Sequence, residues 1–140
     1  MILSQYLIIL VSIFMQTPTS TIDLEIGEFR NTSGYVLISV FDNSEDYPEN
    51  EQNAVANKKV KVTQKTHHIS IEDLPEGEYA IVFMHDENDN EEMDTNFVGA
   101  PTEGYGASND AVNTFSAPKY ADAKFLLEGE RTALKLKIFY

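Results

Sequence analysis

Asp86, Asn88 and Asn90 stand two residues apart, and Asp94 follows four later. Side-chain oxygens at relative positions one, three, five and nine, with a backbone carbonyl near seven at Glu92, have the donor spacing of an EF-hand-like calcium loop. Alternate residues converge there because a tight loop wraps the ion and turns those side chains inward. The glycine such a loop carries at its sixth position is Glu91 here, and its final bidentate glutamate is Phe97. A distant carboxylate, Glu103 or Asp110, would have to complete the shell. The candidate metal set is therefore Asp86, Asn88, Asn90, Glu92, Asp94 and Glu103, and calcium is the only cofactor expected. The competing reading of the same residues is an acidic turn exposed to water, its charges screened by solvent and salt.

Charge across the chain frames that choice. Asp and Glu number 23 against 10 Lys and Arg, a net charge of −13 in 140 residues. Between Lys65 and Lys119 there is no basic residue except histidine, while 12 of the 23 acids fall in that stretch. Nucleic acid is excluded as a partner, since phosphate attraction needs a basic face. The absence of cysteine removes disulfides, zinc-thiolate sites and thiol nucleophiles. Ser108, His85 and Asp86 have the residue types of nucleophile, base and orienter, but no nucleophile-elbow sequence surrounds Ser108. His67 and His68 open a predicted strand, where neighbours point to opposite faces, so they cannot pair on one metal and are expected at the surface. A carboxylate pair for glycoside cleavage could be drawn from many acids, and that abundance carries no specificity.

The segment after the acidic loop, residues 96–109, holds three glycines, one proline and two aromatics without strand periodicity. The whole connection from His85 to Phe115 is too long for an ordinary hairpin; such loops are usually functional or disordered, and its aromatics favour order. His85, Asn96, Tyr105, Ser108 and Asn109 are its candidate binding residues, with the Tyr105 ring projecting between two glycines. In the alternative, Phe97, Tyr105 and Phe115 fold back and seal one end of the domain.

The elements that must hold these loops read in steps of two. Ile22, Leu24 and Ile26 alternate with polar residues, as in a half-buried strand. Tyr35–Phe41 and Glu78–Met84 are apolar on both faces, as in central strands. Lys59–Thr63, His68–Glu72, Lys124–Leu127 and Ala133–Phe139 complete seven, the last two separated by a hairpin-sized turn at Glu128–Arg131. A short helical turn is expected within Asn53–Lys58. Seven short strands without a long helix predict an all-β fold, a seven-stranded antiparallel β-sandwich in a single domain over residues 21–140. Strictly alternating strand direction places the acidic loop Asp42–Glu51 and the loop after Asp86 at opposite poles, as two separate acidic patches.

Residues 1–20 carry no charge, and Tyr6–Met15 is almost wholly apolar. That run is short for a bilayer-spanning helix, which needs roughly 20 residues, and suits a signal peptide cleaved near Ser20. The alternative is a buried first strand or helix. Cleavage would leave a secreted or periplasmic domain with no membrane span.

Leu74-Pro75-Glu76-Gly77-Glu78-Tyr79-Ala80 followed by the polar series His85, Asp86, Asn88, Asn90, Asp94 and Asn96, then Gly99, Pro101 and Glu103-Gly104-Tyr105-Gly106, then Ser108-Asn109, resembles the exported bacterial proteins grouped as DUF2141. Pro118, Tyr120, Asp122-Ala123 and Phe125 resemble that group's next stretch. The resemblance implies an exported immunoglobulin-like or prealbumin-like sandwich and no catalytic assignment. In the acidic loop this chain has Glu91, Glu92 and Met93 where the group has glycine and leucine, which argues against a tight glycine turn. A tyrosine corner is expected at Tyr79, its hydroxyl bonding back to nearby backbone. The function expected from all of this is a non-enzymatic exported binding or accessory domain that presents the His85–Asn113 loop to a protein or glycan at the cell envelope. A purely structural surface module is the alternative, and a hydrolase is less favoured than either.

Overall fold

Apolar alternation dictates the frame. In the computed structural model, which describes residues 17–113 and 116–140, Ile22, Leu24 and Ile26 of β1 (Thr19–Gly27) are all buried to within 1% of completely. The other strands are β2 (Tyr35–Phe41), β3 (Ala56–Lys61), β4 (Thr66–Pro75), β5 (Gly77–Asp86), β6 (Gly104–Ala107), β7 (Phe125–Leu127) and β8 (Arg131–Lys137). A 3-10 turn at Ser108–Asp110 and one α-helical turn, α1 (Tyr120–Ala123), lie between β6 and β7. Two sheets form. One has the order β4-β1-β8; the other has the order β3-β2-β5-β6, with β7 also paired to β5. Side chains such as Ile22, Ile38, Ile71, Ile81 and Leu127 fill the space between them, each contributing about 1.5–3 kcal/mol by leaving water.

Several expectations need correction. Eight strands are present among the described residues, not seven, because β6 lies inside the glycine-rich segment. The fold is all-β but not wholly antiparallel: β1 and β8 run parallel, from Thr21 opposite Arg131 to Gly27 opposite Lys137. The reason lies in the turn after β7. Leu127 pairs with Gly77, beside the pole where Thr19 pairs with Pro75. Residues 128–130 cross there from one sheet to the other, so β8 enters alongside the beginning of β1. Glu130 O accepts from Thr21 N at 2.9 Å, and Gly129 N donates to Glu76 Oε1 at 2.7 Å. Glu128–Arg131 is therefore a crossing between sheets rather than a hairpin turn. The helical turn expected in Asn53–Lys58 is also displaced: a single 3-10 turn occupies Glu51–Asn53, and Ala56 already begins β3.

Glycine in β6 conceals that strand in the sequence. A Cβ on Gly106 would lie 2.3 Å from Phe83 Cζ and 2.6 Å from the Lys137 carbonyl, and one on Gly104 would lie 2.5 Å from the Tyr140 ring. The bare backbone lets β6 approach the end of β8, where Tyr105 and Phe139 exchange two 2.8 Å hydrogen bonds and tie the sheets together.

Tyr79 donates its hydroxyl to Pro75 O at 2.8 Å, forming the expected corner. His68 is exposed as expected, but His67 is only 7% exposed. Its Nε2 accepts from Thr63 N at 3.1 Å and secures the turn into β4. The apolar segment expected to direct export lies outside the described residues except for residues 17–20, of which Thr19 and Ser20 already pair in β1. No helix among the described residues is long and apolar enough to cross a membrane.

Candidate functional site

Because side chains alternate across a strand, the larger sheet has a second apolar face directed away from the core. Phe41, Ser39 and Leu37 of β2 share it with Ala80, Val82 and Met84 of β5 and with Tyr105 and Ala107 of β6, aligned by the strand register. One half is covered. Phe41, Ala80 and Ala107 pack with Tyr47 and with Ala123 of α1 in a small second core. The other half is open, and Leu37, Ser39, Val82, Met84 and Tyr105 form the floor of a groove of about 810 Å³. Ser39 donates its hydroxyl to Asn57 Oδ1 at 2.7 Å, which satisfies the polar group on the floor.

Three segments wall this groove. Pro48, Glu49 and Glu51 stand at one side, Met93 with Val98–Pro101 at another, and Asn113 with Ser116–Pro118 at a third. The register puts Phe41 opposite Ala80 and Tyr35 opposite Asp86, so the two acidic loops leave from opposite ends of the β2–β5 pair, as the sequence predicts. Both nevertheless border the same groove.

The acidic loop is braced by its own carboxylates. Asp86 is fully buried and accepts from Asn90 N at 3.1 Å and Glu91 N at 3.0 Å. Glu103, 4% exposed, accepts from Glu87 N at 2.8 Å and Asp94 N at 3.2 Å. Asp94 in turn accepts from the side-chain amides of Asn88 at 2.6 Å and Asn90 at 2.9 Å. Glu92 is exposed, its N–H donating to Asn90 Oδ1 at 3.0 Å. The six residues read as metal ligands thus share one loop system, in which Asp86, Glu103 and Asp94 accept hydrogen bonds from its own amides. No cluster of three or more His, Asp or Glu side chains able to hold a metal ion occurs among the described residues.

Glu91 has φ of 61°, so a tight left-handed turn forms even though glycine is absent. Its carboxylate and that of Asp89 each lie 2.6 Å from Lys59 Nζ, and hydrogen bonding to the pair raises the lysine pKa. Lys59 also lies over the Tyr35 ring, 4.6 Å from its centroid. On the opposite flank, Arg30 Nε donates to Glu87 at 2.7 Å and its guanidinium to Thr102 O at 2.9 Å. Gly34, at φ of 65°, permits β2 to begin against this rim, since a Cβ there would lie 1.8 Å from Asp86 O.

The binding residues expected from the sequence divide among different tasks. His85 is fully buried and faces the core side; its Nε2–H donates to Ser33 O at 2.7 Å, and Nδ1 accepts from the Tyr140 hydroxyl at 2.8 Å. Burial raises the Tyr140 pKa. Ser108 accepts from Ile81 N at 2.9 Å and donates to Ala123 O, securing α1 against β5, while Asn109 donates to Lys124 O at 2.8 Å and ties down the end of α1. Ser108 and His85 make no hydrogen bond to each other. Asn96 organises a tip: its Oδ1 accepts from Val98 N and Ala100 N, each at 3.0 Å, beneath a bridge between Thr95 and Pro101. Of the five, only Tyr105 lines the groove.

Phe97 does not fold back to seal the sandwich. It is 101% exposed at that tip, and Val98 beside it is 70% exposed. Phe115 lies outside the described residues. Missing from the sequence reading were Leu37, Val82 and Met84, whose position on strands apolar on both faces is the signal that a second apolar surface exists.

A family model described as an uncharacterised protein conserved in bacteria, DUF2141, matches residues 24–135. The chain belongs to the DUF2141 family. The match runs from within β1 to within β8 and so covers the groove floor, both acidic loops and the Tyr79 corner. Searches of curated proteins and of solved structures gave no match.

Proposed function

We propose that this DUF2141 domain is a non-enzymatic, exported binding module whose ligand lies in the groove over Leu37, Val82, Met84 and Tyr105. The carrying observation is that half of the outer apolar face is covered by a second core while the other half is the floor of a groove walled by three chain segments. A volume of about 810 Å³ falls in the range that accommodates ligands, roughly 300–1,000 Å³. The acidic loop, in this reading, is a wall braced by its own hydrogen bonds rather than the binding surface itself.

Support for a non-enzymatic role comes from the engagement of the candidate catalytic groups. Ser108 is used to join Ile81 to Ala123, and both His85 ring nitrogens are occupied elsewhere. Support for export is the uncharged run of residues 1–20 with its apolar centre at Tyr6–Met15.

Saturation of the full chain with Nile red, a neutral fluorophore that reports apolar surroundings, tests the groove. One saturable site is expected, lost in Val82→Arg, whose guanidinium would rise from the floor. Undiminished dye binding by a folded Val82→Arg variant would place the apolar site elsewhere, and an absence of saturable binding would favour a purely structural module.

A further inference from the structure

We infer that the groove receives an apolar segment of a partner polypeptide flanked by lysine or arginine; this rests on the groove reading above. Three observations converge on that chemistry. Glu49 and Glu51 are the charged residues that line the groove, and no Lys or Arg lines it. Both carboxylates are exposed, and neither enters an ion pair among the described residues. A cation bound at that mouth would therefore meet uncommitted negative charge beside an apolar floor, an arrangement that also accelerates encounter with a basic partner.

The second observation is the tip. Phe97 and Val98 are held outward by the Asn96 hydrogen bonds and the Thr95–Pro101 bridge, so their exposure is built into the loop. Val98 lines the groove and Phe97 stands next to it in the chain. A small molecule enclosed by the groove would leave Phe97 in water. A polypeptide lying along the groove and over its wall covers both, and aromatic residues at such borders are frequent anchors of protein interfaces.

The third is the field around the tip. Lys59 pairs with Asp89 and Glu91, and Arg30 pairs with Glu87 and reaches Thr102 O, but Glu92 and Asp94 beside the tip enter no ion pair among the described residues, so the loop keeps a negative excess. An anionic lipid surface or an acidic peptide approaching Phe97 would meet like charge, whereas a basic segment would be attracted.

Fluorescence anisotropy with the full chain and two labelled peptides provides the test. They share an alternating leucine–serine centre and differ only in lysine or glutamate at both ends. The lysine peptide is expected to bind about tenfold more tightly at low salt, consistent with two exposed ion pairs. Glu49→Gln combined with Glu51→Gln should reduce that preference below about threefold, and Phe97→Ser should weaken both peptides about fivefold. Val82→Arg should abolish binding of both.

Equal affinity for the twins overturns the cationic partner while leaving the groove intact. Saturable Nile red binding that Val82→Arg removes, with neither peptide bound, overturns the polypeptide occupant alone. Peptide binding that survives Val82→Arg in a folded protein overturns the groove reading as well. Sedimentation with phosphatidylcholine vesicles that depends on Phe97, without peptide binding, assigns the tip to a membrane and overturns the inference.

Discussion

The Tyr79 hydroxyl donates to the carbonyl of Pro75, four residues earlier, at 2.8 Å. This bond spans the turn between β4 and β5, and β5 supplies the central row of the groove floor. Tyr79 is 5% exposed while Pro75 is exposed, so the lost bond is offset only in part by water at the Pro75 carbonyl. Tyr79→Phe is expected to destabilise the protein by about 1 kcal/mol, measured as a lower midpoint in urea. An unchanged midpoint would show that the corner contributes nothing net.

Tyr47 should respond with the opposite sign. Its ring packs against Phe41 and Tyr120, but its buried hydroxyl has no hydrogen-bond partner among the described residues. Burial, with Asp122 nearby, pushes its pKa to about 12. Tyr47→Phe removes a desolvated polar group and keeps the ring, so it should be neutral or stabilising by up to about 1 kcal/mol. A clear loss of stability in the same urea titration would reveal a bond made by that hydroxyl.

Gly106→Ala should be costly. The added methyl would meet both the Phe83 ring and the Lys137 carbonyl, and the second is backbone that cannot swing away. A loss of about 1–3 kcal/mol is expected. Hydrogen exchange should show the damage first at Tyr105 and Phe139, whose N–H groups close the seam between the sheets.

Acid stability should depend on Asp46. Hydrogen bonds from the Asn53, Asn43 and Asn50 amides hold its pKa below the ordinary 3.8, burial opposing them. A carboxyl depressed in the folded state contributes stability that is fully present above the unfolded-state pKa and is lost as pH falls through the folded one. Asp46→Ala should therefore lose stability at neutral pH and show a shallower decline below about pH 4. Parallel unfolding curves for wild type and variant across that range would contradict this origin.

Calcium at millimolar concentration should leave the melting temperature unchanged. Asp86 and Glu103 already accept from four backbone N–H groups, and Asp94 from two side-chain amides. An ion drawing on Asn88, Asn90 and Asp94 together would have to displace the two amide nitrogens that now point at the Asp94 carboxylate. A saturable rise in melting temperature, lost in Asp94→Ala, would establish the cation-organised loop.

Local patterns in the sequence determined most of the frame. Alternation, and in Tyr35–Phe41 and Glu78–Met84 a run apolar on both faces, marked seven of the strands, although β3 spans Ala56–Lys61 rather than the expected Lys59–Thr63, and the Tyr79 corner was legible because its partner is only four residues away. The opposite poles of the two acidic loops followed from the β2–β5 pairing. Other features depended on residues distant in the chain. β6 was hidden because Gly104 and Gly106 are small to admit Ile138, Tyr140 and Phe83, a requirement imposed from elsewhere in the fold. His85 became a buried link because Ser33 and Tyr140 meet it from two other segments. β8 became parallel because the chain changes sheets after Leu127. The groove arose in the same way: the sequence announced strands apolar on both faces, but only packing decided which half of the outer face would be covered, by Tyr47 and Ala123, and which half would remain open.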